Sequence, residues 1–169
     1  MRRRDLLAGL GGLAVVGTGA VYVTQSNTGE TVEPVTVERL DESGAVAGEM
    51  TVPQPAQPTV LTVFATWCST CRRTMPAVVE VSESVDEVAF LSVSNEAIGQ
   101  TTTREDVADW WADHGGDWPV GVDSSLDLTA AFDVRGVPTT IVFDEDGRIQ
   151  YDERGEKTAD ELRSALPEE

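Results

Sequence analysis

Hydrophobic residues follow two different patterns between positions 35 and 166. Short runs rich in Val, Ile, Thr and Phe, bounded by Gly, Pro, Asp or Ser, predict β-strands. Longer stretches in which apolar and polar residues mix predict helices. The predicted strands are residues 35–40, 45–52, 60–64, 88–93, 120–122, 139–143 and 148–151. The predicted helices are residues 68–84, 103–114, 126–132 and 158–166.

The order of these elements predicts the fold class. Strands alternate with helices and are followed by a hairpin and a last helix, which describes an α/β sheet covered on both faces. The first two strands flank a turn at residues 41–44 and predict an N-terminal β-hairpin. Residues 60–64 are apolar or β-branched throughout, which is typical of a strand buried on both faces. Pro76 is expected to bend the helix in which it lies.

The N-terminus has the pattern of an export or anchoring segment. Three arginines at positions 2–4 precede eighteen uncharged residues, 6–23, which would reach about 27 Å as a helix, close to the ~30 Å hydrocarbon core of a membrane. The string RRDLL resembles the twin-arginine export signal. Residues 1–23 are therefore a signal peptide or a retained anchor, residues 24–34 a polar linker, and residues 35–169 the domain. The arginines place that domain outside the cytoplasm, on the outer face of the membrane or secreted after cleavage.

The charge balance excludes one class of partner. Lys and Arg total 12 against 30 Asp and Glu, for a formal net charge of -18, and three of the arginines belong to the N-terminal segment. Such a surface repels a phosphate backbone, so nucleic acid is not a partner. An acidic, lysine-poor composition resembles that of halophilic proteins, which stay soluble where salt screens their self-repulsion. An ordinary acidic protein is the alternative.

The chain has two cysteines, Cys68 and Cys71, at the start of a predicted helix that follows a buried strand. In an exported chain this spacing favours a reversible dithiol over a structural staple, because so short a loop removes little entropy from the unfolded state. The helix N-terminus favours a thiolate at Cys68, which is expected to be the exposed nucleophile. Cys71 lies one turn deeper and is expected to resolve the mixed disulfide.

A C-x-x-C pair is also half of a zinc site, but a second cysteine pair is lacking and His114 is the only histidine. We therefore expect neither a metal nor a cofactor. Two other hypotheses stay open. One is a copper chaperone that uses both thiolates and His114, because soft sulfur ligands suit Cu(I). The other is a peroxide-reducing relative, which would consume peroxide without a partner protein.

Several motifs in order resemble the TlpA/ResA-like group of membrane-tethered thiol–disulfide oxidoreductases, over roughly residues 35–166. They are FATWCSTC at 64–71, Pro76, WPV at 118–120, RGVPTT at 135–140 and FDEDGRI at 143–149. The resemblance implies a thioredoxin-like fold, with a central mixed β-sheet flanked by helices and the β-hairpin as an N-terminal extension. It also implies a redox-active disulfide between Cys68 and Cys71.

The resemblance further implies a substrate site. Pro138 matches the family's cis-proline, which presents the backbone of Val137 beside the disulfide, and Trp67 offers a flat surface to the substrate. The expected partners are protein thiols or disulfides and an upstream electron donor in the membrane. Maturation of cytochrome c is one process in which such a protein would act.

Two positions depart from the family pattern. Thioredoxins carry a buried acid six residues before the first cysteine, where this chain has Thr62. ResA-like proteins carry a Glu three residues after the second cysteine, where this chain has Thr74. The sequence therefore names no acceptor for the proton of Cys71. The dipeptide between the cysteines, Ser69-Thr70, also differs from the family, so the sequence does not set the direction of exchange.

Overall fold

A computed structural model describes residues 29–167 and contains seven strands and four helices in that range. The strands are β1 (Val35–Leu40), β2 (Val46–Val52), β3 (Thr59–Phe64), β4 (Ala89–Ser94), β5 (Val120–Val122), β6 (Thr139–Phe143) and β7 (Ile149–Arg154). The helices are α1 (Ser69–Ser82), α2 (Arg104–Asp113), α3 (Asp127–Ala131) and α4 (Ala159–Ala165).

All strands join one mixed sheet in the order β2-β1-β5-β4-β3-β6-β7. Strands β3, β4 and β5 run parallel, whereas β6 pairs with β3 antiparallel and β7 continues the antiparallel edge. The β1–β2 hairpin extends the other edge through antiparallel pairing of β1 with β5. The structure confirms the predicted thioredoxin-like α/β class with its N-terminal hairpin.

The sheet separates two apolar cores, and β3 contributes to both. Val60 and Phe64 pack on the side of α1, α2 and α4, whereas Leu61 and Val63 pack on the side of α3. Every residue of β3 is buried, as its continuous β-branched run predicts. The first core also contains both cysteines, so the disulfide is part of the packed layer between the sheet and α1.

Some residues of the predicted linker contact the domain. Residues 29–34, expected as part of a linker, hydrogen-bond to the β6–β7 hairpin: the Gly29 amide donates to the Ile149 carbonyl at 2.6 Å and the Val32 amide to Gly147 at 3.1 Å. Backbone pairing of this kind needs no apolar side chains, so the polar composition does not reveal it. The predicted signal or anchor, residues 1–23, lies outside the described residues. Within 29–167, no helix combines the length and apolar character needed to cross a bilayer.

Strand register brings the C-x-x-C segment and the loop before β6 to the same end of the sheet. Val63 of β3 pairs with Thr139 of β6, so the residues that follow β3 lie beside those that precede β6. Phe64 of β3 pairs with Ser94 of β4 in parallel, so the carboxyl end of β4 lies at the same end of the sheet. The C-x-x-C segment, the loop before β6 and the end of β4 therefore meet.

Candidate functional site

Cys68 and Cys71 form a disulfide at the N-terminus of α1, with Cα atoms 5.2 Å apart. Cys68 is the N-cap residue, and its sulfur accepts a hydrogen bond from the Cys71 amide at 3.0 Å. A sulfur thus satisfies one of the free amides that begin every helix, where Ser, Thr or Asp usually does so. The same amide and the positive end of the helix stabilise a thiolate at Cys68 once the disulfide opens.

The two cysteines differ little in solvent exposure, although the sequence predicts an exposed Cys68. Cys68 is 5% exposed and Cys71 2% exposed, so the predicted nucleophile is not an exposed residue in the disulfide form. Both side chains belong to the apolar core beneath α1, which the two-residue spacing alone does not show. Trp67 is different: at 73% exposed it is the most exposed large apolar residue of the described chain. Its ring is therefore free to contact a partner.

The cis-proline loop lies where the resemblance implies. The bond between Val137 and Pro138 is cis, and continuing the β3–β6 register places Pro138 opposite Phe64. Val137 is half-buried and packs against the core that contains both cysteines. The Pro138 carbonyl accepts a hydrogen bond from the Gly155 amide at 2.8 Å, which fixes the loop to the end of β7. A second cis bond, between Val52 and Pro53, was not expected from the sequence.

Glu96 is a site residue that the sequence analysis missed. Its carboxylate is buried, with 6% of the residue exposed, and it lies two residues after β4. It accepts hydrogen bonds from the Thr66 amide at 2.7 Å, the Thr66 hydroxyl at 2.9 Å and the Ser94 hydroxyl at 3.1 Å. Glu96 thus holds the segment that leads into Cys68. The signal available in the sequence is an acid two residues after a buried strand, at the end of the sheet that carries the C-x-x-C.

Threonines occupy the two positions at which the family resemblance implies acids. Thr62 is 3% exposed and Thr74 is 1% exposed. The Thr74 hydroxyl donates to the Thr70 carbonyl at 3.2 Å and accepts from the Lys157 amide at 3.4 Å, so it links α1 to the segment before α4. At both positions the structure places a buried hydroxyl instead of a carboxylate.

His114, the third ligand of the copper hypothesis, is engaged elsewhere. Its Nδ1–H donates to the Trp110 carbonyl at 2.6 Å, and its ring stacks on Trp110 with centroids 4.3 Å apart. Within residues 29–167, no three or more His, Cys, Asp or Glu side chains group in a way that could hold a metal ion. The copper hypothesis thus gains no supporting observation.

Comparisons with known proteins agree with this geometry. The Redoxin family model matches residues 49–166. The sporulation thiol-disulfide oxidoreductase A of Bacillus subtilis is 21% identical over 115 residues, which are 68% of this chain and 70% of that protein. The thiol-disulfide oxidoreductase ResA of Bacillus thuringiensis is 26% identical over 108 residues, 63% of this chain and 60% of that protein.

A solved structure gives the same result for the fold. The crystal structure of StoA from Bacillus subtilis superimposes with a TM-score of 0.65 at 20% identity, over 79% of this chain and 98% of that one. This chain spans 60% of the length of the ResA relative. The chain therefore belongs to the Redoxin family and, within it, to the TlpA/ResA-like group of thioredoxin-fold thiol–disulfide oxidoreductases.

Proposed function

We propose that this protein exchanges its dithiol or disulfide with protein substrates on the outer side of the membrane, with Cys68 as the nucleophile and Cys71 as the resolving cysteine. The observation that carries this proposal is the position of the disulfide at the start of α1, with the Cys68 sulfur on the Cys71 amide and the Val137–Pro138 loop on the neighbouring strand.

The exchange has two steps, here written for reduction of a substrate. The Cys68 thiolate attacks one sulfur of the substrate disulfide, forming a mixed disulfide, and the other substrate sulfur leaves as a thiolate that takes a proton. Cys71 then loses its proton and attacks the Cys68 sulfur. The bond between Cys68 and Cys71 forms, the mixed disulfide breaks, and the second substrate sulfur leaves. Two electrons pass from the cysteine pair to the substrate, and the reverse sequence makes a substrate disulfide.

The surroundings of the disulfide suit an extended polypeptide. The exposed ring of Trp67 provides apolar contact area next to Cys68. The backbone of Val137 lies at the edge reached by the end of β3, where a substrate segment can pair with it, and Pro138 has no amide to compete for that pairing. Trp67, Val137 and Pro138 are thus the substrate-binding residues of this proposal.

A trapping experiment tests the roles of the two cysteines. In Cys71→Ser the second step is blocked, so a disulfide-containing substrate protein should accumulate as an adduct to Cys68, visible on a non-reducing gel and by mass spectrometry. Cys68→Ser removes the first attack and should trap at least tenfold less. Equal trapping by both variants would show that the roles are not divided as proposed.

The membrane location rests on the N-terminal arginines and the uncharged segment of residues 6–23. We include in the proposal a membrane-bound electron donor and, from the family resemblance, apocytochrome c among the substrates. Cell fractionation of the full chain with protease added from outside checks the location. A protein that is protected from the protease in intact, wall-free cells contradicts it.

A further inference from the structure

Two buried hydroxyls next to each other in the sheet have no hydrogen-bond partner among the residues that the structure describes. They belong to Thr62 of β3, 3% exposed, and Thr140 of β6, fully buried. The two residues are direct partners in the β3–β6 register. An unpartnered buried hydroxyl destabilises a fold, whereas valine would fill the same volume without that loss. A pair of them in one place therefore needs an explanation.

Both hydroxyls belong to the face of the sheet that α1 covers. Side chains alternate along a strand, so Thr62 shares a face with its neighbours Val60 and Phe64, and Thr140 shares it with Val142. These three apolar residues pack in the same core as Cys71. The two threonines thus face the apolar core that contains the resolving cysteine.

The threonines belong to a polar row that crosses the sheet. Ser92 of β4 pairs with Thr62, Thr62 with Thr140, and Thr140 with Glu153 of β7. Directly opposite side chains in a sheet have Cβ atoms about 5 Å apart, a distance that one water molecule can bridge. The row ends at solvent, because the Glu153 side chain is 61% exposed. It starts in the core, where the Ser92 hydroxyl accepts from the Trp118 indole at 2.9 Å.

The carboxylate of Glu153 contacts the side chains of Tyr151 and Lys157. It accepts a hydrogen bond from the Tyr151 hydroxyl at 3.0 Å and lies 3.7 Å from the Lys157 ammonium. Burial, together with this hydrogen bond, raises the pKa of Tyr151, so the phenol stays protonated. The buried acid near the site, Glu96, already accepts hydrogen bonds from Thr66 and Ser94.

We propose that Thr62, Thr140 and Glu153 form the proton path of the resolving step. This inference rests on the proposed function and adds the missing proton acceptor. The Cys71 thiol gives its proton to the Thr62 and Thr140 hydroxyls, through bridging water, and the proton passes to the Glu153 carboxylate and then to solvent. The Cys71 thiolate attacks the Cys68 sulfur, the disulfide forms, and the substrate sulfur leaves.

The test substitutes each threonine of the full chain, in detergent, by valine. The reduced protein is mixed rapidly with glutathione disulfide, and the formation and the release of the mixed disulfide at Cys68 are followed separately. We expect capture at an unchanged rate in Thr62→Val and Thr140→Val. Release should be at least about tenfold slower, with its pH midpoint moved upward, because general-base assistance contributes about 10²-fold or more. Thr62→Ser keeps the hydroxyl and should restore the rate.

Thr129→Val is the matched control. Thr129 also has a hydroxyl without a partner among the described residues, but it belongs to α3, the helix that packs on the opposite face of the sheet. Its release rate should equal that of the unchanged protein. If the valine variants at 62 or 140 do not fold, Glu153→Gln, at an exposed position, tests the far end of the path and should slow release in the same way. Release within twofold of the unchanged rate in the variants that fold, or equal slowing in Thr129→Val, overturns the proton path.

The pH dependence of the release rate must be distinguished from the titration of other groups around this core. These are Cys68 and Arg73 on α1, Glu96 after β4, His114 at the end of α2, Tyr151 and Glu153 on β7, and Lys157 and Glu161 near α4. The threonine substitutions leave all of them in place. If the unchanged protein forms no adduct at Cys68, the proposed function fails. If capture persists and release does not respond, the proton path alone fails.

Discussion

Glu96 shows how one buried carboxylate positions the redox segment. Three donors from Thr66 and Ser94 converge on it, and Thr66 lies two residues before Cys68. A carboxylate has acceptor sites for all three donors, whereas an amide turns a donor toward at least one of them. The segment before α1 is thus held by an acceptor from the loop that follows the neighbouring strand β4.

Glu96→Gln should therefore destabilise the protein and slow exchange. One buried donor loses its acceptor, which costs about 1–3 kcal/mol, and the entry to Cys68 becomes looser. Urea unfolding measures the first effect, and the rate of adduct formation at Cys68 measures the second. The matched control is Glu42→Gln in the exposed β1–β2 turn, which should change neither. Equal stability of the two variants would show that the carboxylate does not hold the segment.

The residues of the candidate site differ in how far the sequence predicts them. Cys68, Cys71 and Pro138 are identified because their motifs are local and keep their order along the chain. Glu96 is 25 residues from Cys71, and only the parallel pairing of β3 with β4 brings it to Thr66. The hydroxyls of Thr62 and Thr140 meet through strand register in the same way. Contacts of this kind depend on register, which a single sequence does not fix.

At the level of elements, prediction succeeds where one element's own residues decide its structure. Strand β3 is apolar throughout and buried on both faces, as expected. Strand β7 was expected to end at Tyr151 but continues to Arg154, because β6 supplies pairing partners as far as Thr139. Helix α3 is shorter than the predicted residues 126–132, and its N-cap Leu126 has a φ of 63°, a left-handed conformation that apolar patterning does not reveal.

The turn of the β1–β2 hairpin packs directly on the start of α2, and Gly44 allows this contact. Its φ is +78°, and a Cβ at this position would lie 2.5 Å from the Glu105 Cα. Gly48, in the same hairpin, also has a positive φ, +118°, but a Cβ there would have no atom within 4 Å. Substituting Gly44 and Gly48 in turn therefore separates the effect of backbone strain on stability from the effect of the packing clash.

Gly44→Ala should lower the free energy of unfolding more than Gly48→Ala. Both substitutions add the strain of a side chain at positive φ, about 1–2 kcal/mol. Only the first also forces the hairpin turn away from α2, which adds roughly 1–3 kcal/mol. Thermal and urea unfolding give the two values. Equal destabilisation would mean that the hairpin does not depend on this contact.

At the scale of the whole molecule, electrostatic repulsion acts against the compact state. The chain carries 30 acidic and 12 basic residues, and most ion pairs within 29–167 are exposed, such as Arg73 with Glu156 and Arg135 with Asp133. Exposed pairs contribute about 0–1 kcal/mol each, so salt removes little by screening them. The repulsion among the unpaired acids is the larger effect, and salt weakens it.

The melting temperature should therefore rise when KCl increases from 0.1 M to 1 M. Over this range the screening length falls from about 10 Å to about 3 Å, which is shorter than typical spacings between surface charges. Differential scanning calorimetry of the reduced and the disulfide forms measures the shift, and both should move in the same direction because the charges are common to them. Sucrose at matched osmolality is the control, since it strengthens burial without screening charge. A melting temperature that falls with KCl, or that rises no more than it does in sucrose, would mean that self-repulsion is not what limits the stability of this acidic domain.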